Sequence, residues 1–212
     1  MKRGQYIVLA AAVAVAIYYV YSHWGGQGLG SMLADQTGGL RSGSRLQWRT
    51  VQRLGDGFKV ELPAEEKERQ VQAYNEIGGS EPVRMLVANP NGDETFAVTW
   101  EDNPPVARVS HTPERTLNMA RDGMLGRTET TIVSESRGFT RDYPSLDMLA
   151  RNGGGGILNA RLILADNRLY VLMAMFPSAD ARRDRDVSRF FNSFVPARPT
   201  AIPESMPAAS TD

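Results

Sequence analysis

The chain has 212 residues, with 24 Lys+Arg against 24 Asp+Glu, two His and no Cys. Without cysteine there are no disulfides, Cys-ligated zinc, iron–sulfur clusters or thiol nucleophiles, and two histidines leave little material for a His-based metal site. A formal charge of zero offers no basic face for nucleic acid, and 42% hydrophobic with 23% charged residues is the composition of a folded protein, not of a disordered or polytopic membrane chain.

Lys2 and Arg3 precede an uninterrupted apolar run, and no further Lys, Arg, Asp or Glu occurs before Asp35. A helix over residues 6–22 rises about 25 Å, at the short end of what crosses a hydrocarbon core. Tyr6 stands at one end, and Tyr18, Tyr19, Tyr21 and Trp24 crowd the other, which reads as an aromatic belt. The rival reading is a cleaved secretory signal. Tyr19, Val20, Tyr21, His23 and Trp24 are bulky where a peptidase wants small side chains, so the expectation is an uncleaved single-pass anchor. With the positive charges first, residues 1–5 stay in the cytoplasm and the rest is periplasmic or otherwise extracytoplasmic. This predicts a bacterial inner-membrane protein. Residues 23–45 are rich in Gly and Ser and read as a flexible linker. Gly26, Gly28 and Gly30 superficially resemble a dinucleotide fingerprint, but a real one follows a strand and opens a helix, and this one follows the expected membrane span, so the linker reading is preferred.

The folded domain is expected over 46–195, with 196–212 a disordered tail rich in Pro, Ala, Ser and Thr. Leu46–Arg53 alternates weakly and suggests a first strand. Gly55-Asp56-Gly57 signals a turn. Phe58–Leu62 alternates cleanly, burying Phe58, Val60 and Leu62, and Pro63 stops it. Ala64–Arg69 reads as a loop or a short helical turn. Gln70–Ile77, Val83–Ala88 and Thr95–Trp100 read as further strands, and the series from Leu46 to Trp100 looks like an antiparallel meander of successive strands joined by short polar turns. Thr112-Pro113-Glu114 opens a helix as N-cap, first residue and dipole partner, and Leu117, Ala120, Met124 and Leu125 form its stripe. Thr130–Ser136, a segment around Tyr143–Arg151, and Ile157–Ala165 are the next strands. Leu169–Phe176 is apolar on both faces and should lie centrally in the sheet. A helix is predicted from about Ala179 to Ser193, with Val187, Phe190, Phe191 and Phe194 inward. Arg182, Arg183, Asp184, Arg185 and Asp186 fall on its opposite, solvated face. Strands occur in runs, so the fold class is α+β, an antiparallel sheet packed by two or more helices.

Four segments resemble the Mog1/PsbP-like family, in its uncharacterised bacterial PsbP-like branch. They are the opening strand Gly57–Pro63, the helix Thr116–Leu125, the late strand Asn167–Leu172 and the closing Arg189–Phe194. The resemblance implies an α/β/α sandwich in which Phe58, Pro63, Leu169, Tyr170, Phe190 and Phe194 define the fold. It also implies a partner-binding module, as PsbP proteins associate with photosystem complexes and Mog1 binds a small GTPase. No functional residue of either carries over.

Candidate chemistry is sparse. His111 beside Ser110 would need a carboxylate in reach to act as a hydrolase base, and a surface or capping role is the simpler reading. Gly153–Gly156 lacks the Lys and helix of a phosphate loop and reads as a hairpin loop. Asp93, Glu94, Glu101 and Asp102 flank one strand without a calcium-loop pattern. Asn103-Pro104-Pro105 reads as a stiff loop. Met119, Met124, Met173 and Met175 read as core filling. No catalytic, cofactor or metal-ligating residue is therefore assigned. The leading expectation is a non-enzymatic, membrane-anchored accessory or assembly factor that binds a membrane complex or envelope protein. A small-ligand-binding domain and a hydrolase using His111 are the alternatives.

Overall fold

The computed structural model describes residues 46–74, 80–91, 93–102, 112–125 and 130–196. The expected anchor and its aromatic residues, the linker, Asn103-Pro104-Pro105 and His111 lie outside them. The strands are β1 (Arg49–Arg53), β2 (Phe58–Leu62), β3 (Glu66–Tyr74), β4 (Ser80–Ala88), β5 (Thr95–Asp102), β6 (Thr130–Thr140), β7 (Tyr143–Asn152), β8 (Ile157–Ala165), β9 (Arg168–Phe176) and β10 (Val195–Pro196). Two helices, α1 (Pro113–Leu125) and α2 (Asp184–Ser193), complete the described elements. The class is α+β, as expected.

Seven strands form one antiparallel sheet in the order β3-β4-β5-β9-β8-β7-β6, and β1-β2-β10 form a separate small one. The meander is thus only partly correct. β2 pairs with β1 and β10 rather than with β3, and β5 pairs with β9. Between β5 and the far edge the chain forms α1, then returns as β6 and zigzags back through β7 and β8 to β9. β9 occupies the centre of the sheet, where its doubly apolar sequence requires cover on both sides.

Two cores result, one on each face. On one, Leu117, Ala120 and Met124 of α1 pack over Leu146, Met148, Leu162, Val171 and Met173. On the other, Val187, Phe190 and Phe191 of α2 join Phe58, Val60 and Leu62 of the small sheet over Phe96, Trp100, Tyr170 and Phe176. Alternate residues of β9 serve the two cores, Leu169, Val171 and Met173 facing α1, and Tyr170, Leu172 and Ala174 facing α2. One helix on each face of the sheet is the α/β/α layering implied by the family resemblance. Phe190 meets Phe96 edge-on at 5.4 Å, and Phe58 lies 5.0 Å from Trp100 and 5.8 Å from Phe194. The Ser193 hydroxyl donates to Phe190 O at 2.7 Å and accepts from the Glu61 N–H at 2.8 Å, joining the end of α2 to β2.

The α1 cap forms as its sequence specifies. The Arg115 N–H donates to Thr112 Oγ1 at 3.3 Å, and Pro113 takes the first helical position. Two other local expectations are corrected. Glu66–Arg69 belongs to β3, not to a loop or helical turn, because backbone pairing with β4 needs no apolar side chains at a sheet edge. α2 begins at Asp184, not near Ala179. The Ala181 N–H bonds to Ser178 Oγ in a local turn, and Arg183 is held extended, so helix starts only after it.

Candidate functional site

The residues that sequence marks as fold-defining are buried. Phe58, Leu169, Tyr170, Phe190, Phe194 and Pro63 all lie inside the domain. The acidic set around β5 does not assemble. Glu94 is buried and held by the guanidinium of Arg183, which also meets Asp186, while Asp102 is engaged by Arg168 at the other end of the strand. Among the described residues no three His, Asp or Glu side chains gather as metal ligands. Arg182 and Arg183 also depart from the expected solvated helix face. They precede α2, and Arg182 donates to Asn159 Oδ1 at 3.0 Å while Arg183 reaches Glu94. The ion pair with Glu94 raises the Arg183 pKa further above its ordinary value.

Gly153–Gly156 forms the β7–β8 hairpin loop. The Gly156 N–H bonds to Asn152 Oδ1 at 2.7 Å and the Gly155 N–H to Asn152 O at 3.0 Å, so these amides turn inward and make no anion nest.

A cluster of charges surrounds Trp100, at the junction of the two sheets. Asp56, on the short 3-10 turn Leu54–Asp56 after β1, accepts from Arg53 at 3.0 Å and pairs with Arg84 at 2.6 Å. The Arg84 guanidinium lies 5.0 Å from the Trp100 ring centre. Glu68 on β3 meets both arginines, and its hydrogen bond from Arg53 holds its carboxyl below the usual range. Beneath them the buried Tyr170 hydroxyl donates to Gly57 O at 2.7 Å, and burial pushes its pKa up. Arg168 donates to Asp102 and to Asp56 O. Asp56, Glu68 and Asp102 are each matched to a guanidinium. The chemistry is that of a clamp. It joins the small sheet to the large one.

A different kind of surface lies along β6, which ends the seven-stranded sheet opposite β3. β6 has 11 residues and is exposed along most of its length. Phe139 is 74% exposed, Val133 55% and Ile132 37%, three of the four exposed large apolar side chains among the described residues. Between them Glu135 and Arg137 are fastened toward α1. Arg121 pairs with Glu135 at 2.5 Å, Arg137 with Glu135 at 2.9 Å, and Arg137 donates to Asn118 Oδ1 at 2.5 Å. These contacts tie the strand to α1, and its outer backbone edge is unpaired by any described strand. Sequence reading placed a strand at Thr130–Ser136 but ended it before Phe139. The missed signal is Arg141-Asp142, a two-residue turn between Thr140 and Tyr143 that carries the strand on to Thr140.

No protein-family model matches the sequence, and no curated protein matches it. Among solved structures, the chain is similar to the solution structure of cyanobacterial PsbP (CyanoP) from Synechocystis sp. PCC 6803. The TM-score is 0.46 at 14% identity, covering 76% of this chain and 98% of that one. It is also similar to a protein of unknown function, PA94 from Pseudomonas aeruginosa, described as a putative regulator. There the TM-score is 0.36 at 5% identity, over 64% of this chain and 85% of that one.

Proposed function

We propose that this is a non-enzymatic accessory domain that works by binding protein, and that β6 is its binding edge. The observation that supports this is the combination on one strand of an open backbone edge with the exposed side chains of Ile132, Val133 and Phe139. Extended polypeptide adds to such an edge by main-chain hydrogen bonds, and flanking apolar side chains add affinity. The finer reading combines this edge with the N-terminal sequence. A single-pass anchor at 6–22 and a flexible linker hold the domain near the outer face of a bacterial inner membrane, where its partner is a membrane complex or envelope protein. Such a tether raises the effective concentration of the domain for neighbours in the same membrane.

A photo-crosslinking residue substituted for Phe139 in the full-length protein, irradiated in intact cells, tests the edge. A protein adduct from position 139 and none from Lys67 on β3 is the expected result. Equal adducts from both positions, or none from either, would remove β6 as the binding edge. Protease added to spheroplasts tests the topology, because it should digest the domain and spare the N-terminus. Protection of the whole chain overturns the orientation.

A further inference from the structure

We infer that the occupant of the β6 edge is a second copy of this chain, paired antiparallel to the first about a twofold axis through Ser136. The inference rests on the reading of β6 as a binding edge and names the partner.

The direction of the backbone groups comes first. The turn at Arg141-Asp142 makes Thr140 and Tyr143 the pair that closes the β6–β7 hairpin. Hydrogen-bonded and non-hydrogen-bonded pairs alternate along an antiparallel ladder. Thr140, Gly138 and Ser136 therefore point their N–H and C=O groups toward β7, while Phe139, Arg137 and Glu135 point theirs outward. A strand added here must bond to the odd-numbered residues. For two identical strands, this leaves only registers whose axis passes through one residue.

Side-chain charge then selects among those registers. With the axis at Glu135, that carboxylate faces its own copy, and with the axis at Arg137 the two guanidiniums face each other. Both place like-charged residues directly opposite one another, with Cα atoms about 5.5 Å apart, which is destabilising. An axis at Gly138 shortens the pairing to the residues next to the turn. With the axis at Ser136, each Glu135 faces Arg137 of the second copy. Within one chain Arg137 already lies 2.9 Å from Glu135. The dimer thus sets two Glu–Arg pairs head to tail, so that charges alternate around a square. The same register sets Phe139 against Val133 of the second copy at both ends, covering the two most exposed apolar side chains of the strand. Val133 is the residue at the β6 bulge, between Ile132 and Ser134, so the regular pairing ends there.

Gly138 supplies a separate observation. A Cβ built there meets nothing within 4 Å, and Gly138 is not among the positive-φ residues. Among the described residues nothing crowds a side chain at this point. Glycine inside a strand marks a bulge, a bend or the close approach of a ligand or another backbone, and the third fits an open edge. In the Ser136-centred register Gly138 lies opposite Ser134 of the second copy.

The natural sequence has no cysteine, so a single introduced thiol reports the pairing without background. Across the axis the two Ser136 residues form a non-hydrogen-bonded pair with Cα atoms about 4.5 Å apart, within disulfide reach. In the full-length protein under mild oxidation, Ser136→Cys should give a disulfide-linked dimer. Ser134→Cys alone should not, because its copies lie about 13 Å apart along the strand. Mixed Ser134→Cys and Gly138→Cys chains should cross-link. Arg137→Glu should abolish the Ser136→Cys dimer. Mixing Glu135→Arg chains with Arg137→Glu chains should restore cross-linking between them, with unfolding curves confirming that each variant is folded. Cross-linking of Lys67→Cys as strongly as Ser136→Cys would mean random collision and overturn the inference. If Ser136→Cys stays monomeric while the photo-crosslinker at Phe139 captures a different protein, the second-copy assignment falls and the binding edge stands. If both are silent, both fall.

Discussion

The two edges of the seven-stranded sheet, β3 and β6, expose equivalent backbone but opposite side chains. β3 presents Glu66, Lys67, Glu68, Arg69 and Gln70 in succession, and Arg53 and Arg84 grip Glu68 from the inner side. A charged edge is the usual protection against adding another strand, because docking would strip water from each charge. β6 carries Ile132, Val133 and Phe139 outward and has its two charges drawn toward α1. One edge is closed and the other is left open. The difference separates exposure as such from exposure that supports binding.

The largest expected effect removes the frame that both edges share. Phe190→Ala empties a fully buried site between α2 and the sheet and should cost about 3–5 kcal/mol, read as a fall in Tm. An unchanged Tm would mean that α2 does not hold this face. A smaller effect is expected for Tyr170→Phe, which loses the bond to Gly57 O and should destabilise by about 1 kcal/mol in urea unfolding. That loss should be independent of which edge is occupied.

Exchanging the edges should change association with little effect on stability. Val133→Lys with Phe139→Lys gives β6 the character of β3. In the Ser136→Cys background it should eliminate the cross-linked dimer while stability stays within about 0.5 kcal/mol. The reverse exchange, Lys67→Val with Arg69→Val, should make β3 sticky, seen as concentration-dependent light scattering. If scattering stays flat, charge is not what closes that edge.

The smallest effect is a pH dependence at β3. Glu68 has its folded pKa lowered by Arg53, so its contribution is present above the unfolded value near 4.5 and is lost as pH falls through the lower folded value. The pair is half exposed, so Glu68→Gln should cost at most about 1 kcal/mol at neutral pH. Its acid-unfolding curve should meet that of the unaltered protein at low pH. A difference that persists into strong acid would assign the loss to packing.

Periodicity made several elements legible. The doubly apolar Leu169–Phe176 indicated the central strand, Phe58-Val60-Leu62 an inward face, and Thr112-Pro113 a helix start. Each of these signals is local, set by burial of alternate side chains or by satisfaction of the first helical N–H groups. Glu66–Arg69 is not legible as strand, because charge pattern reports solvent on the side chains and not whether the backbone is paired. The start of α2 is not legible either, because Arg183, extended before the helix, is held by Glu94, 89 residues away in sequence. Nothing near Arg183 announces that contact.

The binding edge belongs to the second kind of knowledge. The amino-acid pattern alone marks Thr130–Ser136 as a strand, because β-branched residues and alternation favour extended chain. It leaves open whether that strand lies inside the sheet or at its rim. That was decided when β5 took β9 as its neighbour, sending the intervening chain through α1 to the far side. Strand neighbours are chosen by packing across the whole domain, and hydrogen-bonding groups of the backbone are the same in every residue. Side chains can therefore specify a strand locally, while only the assembled sheet determines which strand keeps an open edge.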